Sequence, residues 1–453
     1  MAAVPVTTAT DYSDASSSSS SSSSLPNWVM LDPYVFKRYD LSTFQEDETT
    51  SPQRRTSEGV SFRVSPLPAV SRLYLHFPKS PGGSDTICRI VGSHRNTLLF
   101  CLYVPLPLPV DKYPADFPYE RQPRFCRQDL FVYTAGSPPS LNLLPPCHET
   151  LVEDEEDDTS SEELYDPLAG VVNFSELEGI GILCNNDGDF VVAYLCLSHE
   201  ITIGSGAQDI EAQMCIYSSS RLEWQLHALP IHCEQEDICD LLSWSTKQVV
   251  AFGSYLCWVD YDSGLLFCEV FSKHLRVSYV RMPVSSSPFH EPCVDMYRNI
   301  CVGEDEGKFT MMFADVRPLD GYVYLPRSNG FEFNLWSLIM EEDGNMNWKH
   351  EQEFGFSHKD LNIRNFIPSP CGPLTFPVVS MEEPHVGYFV VGEPGCGIRK
   401  VWLLSVDLIS KAVEVFPYLN GNEDLLGEDA DMAKSKPHCF PPFLPSDIPK
   451  FIP

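Results

Sequence analysis

Two carboxylates lie two positions apart in the stretch WVDYDSGLLFCEVF, which begins at Trp258. Alternate residues of a strand point to the same side, so Asp260 and Asp262 could together bind a hard cation or act as an acid pair. The same pattern is typical of a turn, because Asp side chains bond to nearby backbone N–H groups. We favour a hairpin in which Trp258 and Phe267 are buried, residues 262–264 form an exposed tip, and Gly264 needs a positive φ.

Two further groups contain side chains that often bind metal ions. Residues 185–189, NNDGD, resemble a short calcium loop. They lack the alternating oxygen ligands and the bidentate glutamate of an EF-hand, so we expect a hairpin turn. His232, Cys233 and Cys239 could ligate zinc, but the two cysteines are far apart for a zinc knuckle and no second Cys-x-x-Cys pair exists. Isolated thiols are the simpler interpretation.

A single cysteine lies in a setting that could activate it. Cys396 is flanked by glycines and is close to Arg399 and Lys400, which could lower its thiol pKa. An ordinary loop cysteine is the alternative that we favour. Nucleophile-elbow, zinc-protease, P-loop and dinucleotide-binding motifs are absent from the sequence. We therefore predict no catalytic, cofactor-binding or metal-binding residue and no cofactor, although groups from distant loops could still converge.

The charge of the chain limits its partners. There are 63 acidic and 31 basic residues, which give a formal net charge of −32. Such a chain repels nucleic-acid phosphates and anionic membrane surfaces, both of which require clustered Lys and Arg. We expect no nucleic acid and no membrane as partner. We expect another protein, and the acidic surface favours a basic one. The oligomeric state stays open.

The cysteines and the N-terminal sequence indicate a compartment. Sixteen cysteines in 453 residues are too few for a disulfide-built scaffold. The first basic residue is Lys37, and no apolar segment follows a charged start as in a signal peptide. We expect reduced thiols, an unused glycosylation sequon at Asn173, and a soluble protein of the cytoplasm or nucleus.

Composition divides the chain into three parts. Residues 1–24 end in a serine run and are expected to be disordered, because they lack the apolar side chains that offset ordering entropy. Residues 25–421 form the folded domain, interrupted by an acidic loop at 153–163. Residues 422–453 read as an acidic and proline-rich C-terminal tail.

The elements that must position any site are mostly strands. LRVSYVRM, from Leu275, alternates apolar and polar residues with a period of two. DFVVAYLCLS, KQVVAFGSYLCWV, VGYFVVGE and KVWLLSVDL are short runs of strand length, separated by Asn, Asp, Ser and Gly turn residues. EDICDLLSWS is the best short helical candidate.

A weak repeat predicts the fold. Strand–turn–strand units recur with a large aromatic residue at Trp224, Phe267 and Trp348, at spacings of 43 and 81 positions. A period of roughly 40 to 50 residues in an all-β chain is typical of propeller blades. We predict an all-β, β-propeller-like repeat of antiparallel blades, about six to eight in number. Unrelated hairpins in a β-sandwich are the alternative.

The hairpin that begins at Trp258 also resembles a known family signature. WVDYDSGLLFCEVF is similar to a motif of the plant family called domain of unknown function 1618, which is abundant in grasses. LPNWVMLD, LFVYTAGSPPSLNLLPP and FPVVSMEEPHVGYFVVGE resemble other segments of that family, so the resemblance covers nearly the whole folded chain. The tip Tyr261-Asp262-Ser263 departs from the more usual Leu-Trp-Arg.

The family resemblance implies no activity, because none is assigned to the family. Its blade pattern is similar to the β-propellers that follow F-boxes in plant ubiquitin-ligase adaptors. Residues 25–60 show no convincing F-box, so an adaptor function does not carry over. The sequence favours a non-enzymatic protein–protein interaction module. The alternative is a hydrolase or metal-dependent enzyme that uses the central funnel of the propeller, for which a bound metal would be evidence.

Overall fold

The computed structural model describes most of the predicted folded domain. The described residues are 25–38, 51–52, 59–76, 87–106, 126–148, 171–172, 174, 177–201, 208–284, 294–305, 308–319, 321, 330–340, 346–361, 374–392, 400–420 and 443–451. The serine-rich segment 1–24, the acidic loop 153–163, Asn173 and Cys396 lie outside them, as do residues 422–442 of the predicted tail.

Strands dominate the described residues and form six blades around a central axis. Blade 1 contains β1 (Val29–Leu31), β2 (Phe36–Arg38), β3 (Ser51–Pro52), β4 (Gly59–Arg63) and β5 (Val70–His76). Blade 2 contains β6 (Ile87–His94), β7 (Thr97–Pro105), β8 (Cys126–Thr134) and β9 (Ser140–Leu143). Blade 3 contains β10 (Ile180–Cys184), β11 (Phe190–Ile201), β12 (Gln208–Ser218) and β13 (Glu223–His232).

The other three blades have the same form. Blade 4 contains β14 (Gln248–Phe252), β15 (Tyr255–Asp260), β16 (Gly264–Cys268) and β17 (Val277–Arg281). Blade 5 contains β18 (Arg298–Asp305), β19 (Lys308–Pro318), β20 (Phe331–Met340), β21 (Met346–His350) and the short β22 (Phe356–Ser357). Blade 6 contains β23 (Thr375–Val379), β24 (Val386–Gly392), β25 (Lys400–Asp407) and β26 (Val413–Asn420), and β27 (Leu444–Ser446) returns to blade 1.

Helices are short in the described part of the chain. The helix α1 (Ile238–Leu242) lies within the predicted candidate EDICDLLSWS. Single 3₁₀ turns lie at Leu177–Gly179, Gln235–Asp237, Val294–Met296, Gln352–Phe354 and Ile448–Phe451. None of the helices among the described residues has the length and apolar character needed to cross a membrane. Since most of the described residues lie in strands and the helices are short, the predicted all-β, propeller-like fold class is confirmed.

The blades are joined into a ring through their inner strands. In blades 2 to 6 the first strand is innermost, and β6, β10, β14, β18 and β23 contact one another in that order. Strand β27 contacts β6, and the ring of Trp28 in blade 1 lies 5.9 Å from that of Tyr388 in blade 6. Blades 3 and 4 are also joined at their outer edges, where β13 and β17 form a short parallel pair. The core consists of the apolar layers between neighbouring blades.

The last described strand completes the first blade. Strand β27 pairs antiparallel with β1, so that Val29 lies opposite Ser446 and Leu31 opposite Leu444. Ile448, which follows β27, is completely buried in the layer between blades 1 and 2. Composition places these residues in a tail, whereas in the structure they belong to the propeller. The proline-rich composition obscured a strand of only three residues.

The predicted repeat is present, but its register and spacing differ from the structure. Trp224 and Trp348 both lie on fourth strands, and their indole N–H groups donate to the carbonyls of Pro145 and Arg281 at the end of the preceding blade. Phe267 lies on the third strand of its blade, β16, and is not equivalent to them. The inner strands begin at unequal steps, most of them longer than 50 residues, because the connections between strands vary in length.

The hairpin of β15 and β16 is confirmed, but its turn is not an exposed tip. Trp258 and Phe267 are buried as predicted. Ser263 is also buried, and Gly264 does not have a positive φ. Glycine is required at position 264 because a Cβ atom there would lie 2.5 Å from the carbonyl oxygen of Val280. The turn is covered from two sides, because Arg298 of blade 5 contacts Tyr261 and Asp262 and the hydroxyl of Tyr279 in blade 4 donates to the carbonyl of Ser263.

Candidate functional site

A central cavity lies where the inner strands of the blades meet. Its volume is about 90 Å³. Residues from five of the six blades line it: Ser93, His94, Arg95, Gln248, Val249, Val250, Ala251, Ile300, Val302, Gly303, Phe309, Met381, Leu444, Pro445 and Asp447. Most of these side chains are apolar, and the ionisable ones are His94, Arg95 and Asp447. The cavity therefore presents polar as well as apolar surface to a bound molecule.

The turns of a blade are numbered in chain order, so the first turn connects the first and second strands. The cavity lies at the end of the central channel where the blades make their first turns. Neighbouring strands within each of blades 2 to 6 are antiparallel, so the first and third turns lie at one edge and the second turn at the other. Contacts between first turns show that they share one face: Arg95 bonds to Asn185 and Asn186, and the rings of Phe252 and Phe309 are 6.4 Å apart. We call the side with the first and third turns the cavity face.

His94 is held as a neutral side chain at the edge of the cavity. Its Nδ1 accepts a hydrogen bond of 2.9 Å from the backbone N–H of Cys184 in blade 3. Burial and the neighbouring Arg95 charge lower the pKa of His94 to about 4. An imidazole that accepts through Nδ1 carries its proton on Nε2. At neutral pH, His94 is therefore a hydrogen-bond donor without a positive charge.

Arg95 is the cation of the cavity lining. It lies in the first turn of blade 2 with a φ of 54°. Its Nη1 donates to the backbone oxygen of Asn185 at 3.1 Å and to Oδ1 of Asn186 at 2.6 Å. These two bonds fix the guanidinium against the first turn of blade 3. The NNDGD segment is thus a turn, as predicted, and its oxygens also position an arginine.

Asp447 supplies the carboxylate of the described cavity lining. It follows β27 and has a polar partner of its own. Nearby, the hydroxyl groups of Ser93 and Ser446 lie 2.6 Å apart and join blades 1 and 2. Among the described lining residues, Asp447 is the single carboxylate. The cavity lining therefore brings together the carboxylate of Asp447, the imidazole of His94 and the guanidinium of Arg95.

Asp260, the first carboxylate of the predicted pair, is buried and bonded to its own chain. Its Oδ2 accepts from the backbone N–H of Ser245 at 2.8 Å and from the hydroxyl of Ser263 at 3.2 Å. Its Oδ1 accepts from the N–H of Asp262 at 2.9 Å. Burial raises the pKa of Asp260, while these bonds act in the opposite direction. The carboxylate organises the turn, as the turn interpretation predicted, but it is not solvated.

Asp262 belongs to a polar network that joins blades 4 and 5. Arg298, a buried residue of β18, donates from Nε to Asp315 at 3.0 Å and from Nη1 to the backbone oxygen of Tyr261 at 2.7 Å. The same Nη1 lies 3.4 Å from Oδ1 of Asp262. Since the guanidinium bridges the two blades, Asp260 and Asp262 do not face a common ligand. Their role in the structure is to connect secondary elements.

The other candidate metal ligands weighed from the sequence are His232, Cys233 and Cys239. Cys233 and Cys239 are exposed and flank the start of α1, and His232 ends β13. Within the described ranges, no group of three or more His, Cys, Asp or Glu side chains is placed to hold a metal ion. The cavity residues His94 and Arg95 were missed by sequence reasoning, because a His-Arg pair before an Asn turn has no motif.

Part of the sequence matches one protein family. Residues 258–388 match the family described as "Protein of unknown function (DUF1618)". This DUF1618 segment begins at Trp258, where the resemblance was strongest, and spans blade 4 from β15, blade 5 and the first part of blade 6. The segments outside 258–388 that resembled the family are not part of the match. No curated protein matches the chain by sequence.

Solved structures resemble the chain only weakly. An apocarotenoid oxygenase from Synechocystis has a TM-score of 0.28 and 8% identity, over 64% of this chain and 57% of that protein. A glycosyl hydrolase from Bacteroides ovatus has a TM-score of 0.27 and 10% identity, over 85% and 97%. An α-L-arabinofuranosidase from Podospora anserina has a TM-score of 0.29 and 10% identity, over 88% and 99%. Similarity at this level says nothing about the activity of this protein.

The lowered pKa of His94 gives a pH-dependent stability that can be measured. The pKa of this side chain is near 6.5 in the unfolded chain, whereas it is about 4 in the folded protein. Stability is therefore lost as the pH falls from 6.5 to 4, by up to roughly 3 kcal/mol at 1.36 kcal/mol per pKa unit. We expect urea unfolding to show this loss in the wild type and a smaller one in His94→Asn. Parallel pH profiles for both proteins would contradict it.

Proposed function

We propose that the protein is a non-enzymatic binding module that presents the cavity face of its propeller to another protein. The observation that carries this proposal is the distribution of exposed apolar side chains. Nine large apolar side chains are exposed among the described residues. Five of them lie at the third turns of four consecutive blades, on the cavity face: Leu222, Phe271, Ile339, Met340 and Ile409.

The grouping of exposed apolar side chains on one face is the feature that suggests a partner. Single exposed apolar residues are common, but their alignment on one face is typical of interaction surfaces. Leu222 is 71% exposed and Ile409 is 61% exposed, although they lie two residues or fewer from their strands. Turns on a rigid scaffold are also the usual location of recognition residues. The cavity face therefore offers apolar contact points held at fixed positions.

The charge of the chain favours a basic partner. A net charge of −32 accelerates association with a positively charged protein, and this effect weakens as salt rises. The proposed location is the cytoplasm or nucleus. A bound metal in the purified protein, or a hydrolytic activity, would favour an enzyme in the central channel instead.

Surface variants test the proposal directly. We expect Leu222→Ser combined with Ile409→Ser to reduce partner capture about tenfold or more, since buried apolar anchors dominate binding energy. Leu319→Ser is the matched control, because Leu319 is 52% exposed but follows β19 at the second turn, on the opposite face. The measurement is quantitative capture from a lysate of the source organism, with melting temperatures to verify folding.

Salt provides a second readout of the same experiment. Capture of a basic partner should fall when the ionic strength rises from about 0.15 to 0.5 M, because the Debye length shortens. Equal capture by the wild type, the double variant and the Leu319→Ser control would show that the cavity face is not the binding surface. Binding that does not depend on salt would contradict a basic partner while leaving the surface assignment intact.

A further inference from the structure

We propose that the central cavity binds a small monocarboxylate whose apolar body contains about three to five carbon atoms, since an engineered 150 Å³ cavity holds benzene. This site is independent of the proposed protein-binding function. It rests on three features of the cavity: its apolar lining, the fixed position of Arg95, and the balance of charge around it.

The apolar lining comes from inner strands that are fixed by the ring. Blades 4 and 5 contribute most of it: Val249, Val250, Ala251, Ile300, Val302 and Phe309. These residues belong to β14, β18 and the start of β19, which are neighbouring parts of blades 4 and 5 and are held by their sheets. A hydrocarbon body placed here would lose contact with water without requiring the propeller to rearrange. A volume of about 90 Å³ limits that body to a short chain.

Arg95 provides the group that selects a carboxylate. Its Nη1 is bonded to two oxygens of blade 3, Asn185 O and Asn186 Oδ1. Within the described part of the chain, no hydrogen bond or ion pair engages its Nε or Nη2. These nitrogens offer further N–H donors in the planar arrangement that matches a carboxylate. Because the guanidinium is already positioned by blade 3, binding would require little additional ordering.

The other ionisable groups favour a single negative charge. His94 is neutral at physiological pH, because burial holds its pKa at about 4, so it adds no second cation. Asp447 on the same lining is a carboxylate and would repel a dianion such as phosphate. One cation and one anion therefore line the cavity. A monocarboxylate can pair with Arg95, whereas the second charge of a phosphate or dicarboxylate has no second cation among the described lining residues.

The probe for this site is 3-methylbutanoate, with its neutral amide as the matched ligand control. We expect saturable binding to the full-length protein with a Kd of about 1 mM, reasonable for a ligand of seven heavy atoms. The amide should bind at least about tenfold more weakly, because it cannot form the charge-assisted bond to Arg95. Ligand-observed NMR titration at constant ionic strength measures both constants.

Two variants and one control variant test whether the ligand binds in the central cavity. Arg95→Gln should weaken 3-methylbutanoate about tenfold and abolish the difference between acid and amide. Val302→Phe should fill the cavity and weaken both ligands. Arg221→Gln removes the same charge from the third turn of blade 3, where Arg221 bonds to Gln225, and should leave affinity within about twofold because surface charges are screened. Melting temperatures confirm that each variant is folded.

Several results would overturn this inference. These are a lack of saturable binding to the wild type, equal affinity for acid and amide, or competition by phosphate at the same concentration. A loss in Arg221→Gln as large as that in Arg95→Gln would show a general charge effect rather than a site. None of these measurements involves a protein partner, so failure here leaves the proposed protein-binding function unaffected.

Discussion

Replacing Trp258 with alanine is expected to lower the free energy of unfolding by about 3–5 kcal/mol, the usual range for a buried aromatic residue. Trp258 is completely buried in the apolar layer between blades 3 and 4. Its indole N–H also donates to the backbone oxygen of Gly179 in blade 3, at 2.8 Å. The substitution therefore creates a cavity between two blades and leaves a buried carbonyl without its donor.

A conservative variant separates these two contributions. Trp258→Phe keeps most of the apolar volume but removes the N–H group, so we expect a smaller loss, of about 1–3 kcal/mol, from the unsatisfied Gly179 carbonyl. Urea-induced unfolding followed by circular dichroism measures both variants. If Trp258→Ala and Trp258→Phe were both within about 0.5 kcal/mol of the wild type, as surface substitutions are, Trp258 would not hold the two blades together.

Replacing Arg298 with methionine should have an effect of similar size. Arg298 and Asp315 form an ion pair with side chains that are only 6% and 4% exposed. Removing one partner of a buried pair typically costs about 3–5 kcal/mol, because the other charge is left uncompensated. The same change removes the donor to the Tyr261 carbonyl and so loosens blade 4 from blade 5. Thermal and urea unfolding of the variant measure the loss.

A double variant and a surface pair serve as controls. Arg298→Met combined with Asp315→Leu should be less destabilised than Arg298→Met alone, because no unpaired charge remains in the core. Arg127 and Asp129 form an ion pair in which Arg127 is 53% exposed. Arg127→Met should cost less than about 1 kcal/mol. A loss equal to that of Arg298→Met would show that burial does not determine the strength of these pairs.

The sequence predicted the hairpin of β15 and β16 well, but it did not predict which residues pack against that hairpin. Burial of Trp258 and Phe267 followed from the alternation of apolar residues, and the Asp-rich turn followed from turn chemistry. The expected exposure of residues 262–264 was wrong, because Arg298 of the next blade contacts Asp262 and Tyr279 of the same blade covers Ser263 and Gly264. Contacts between blades depend on residues that are distant in sequence, and hairpin patterns contain no information about them. Phe267 was wrongly taken as equivalent to Trp224 and Trp348, because connections of variable length hide the register of the blades.

The cavity could not be predicted for a related reason. Its lining comes from positions 93 to 447, and it exists only because the ring brings the ends of the inner strands together. His94 and Arg95 resemble ordinary turn residues, and Asp447 lay in a segment assigned to a tail. The acidic pair at 260 and 262 was prominent in the sequence, yet both carboxylates bond within the protein. The conspicuous residues were structural, and those of the candidate site were inconspicuous.

Pairing of β27 with β1 has a consequence for biosynthesis. Because Leu444–Ser446 lies opposite Val29–Leu31, the first blade to leave the ribosome is the last one to be completed. Until β27 emerges, the nascent protein exposes an unpaired strand edge at β1, which is a hazard for aggregation. Such a delay predicts chaperone dependence during translation. It also means that a premature stop before residue 444 would release a chain with an open ring.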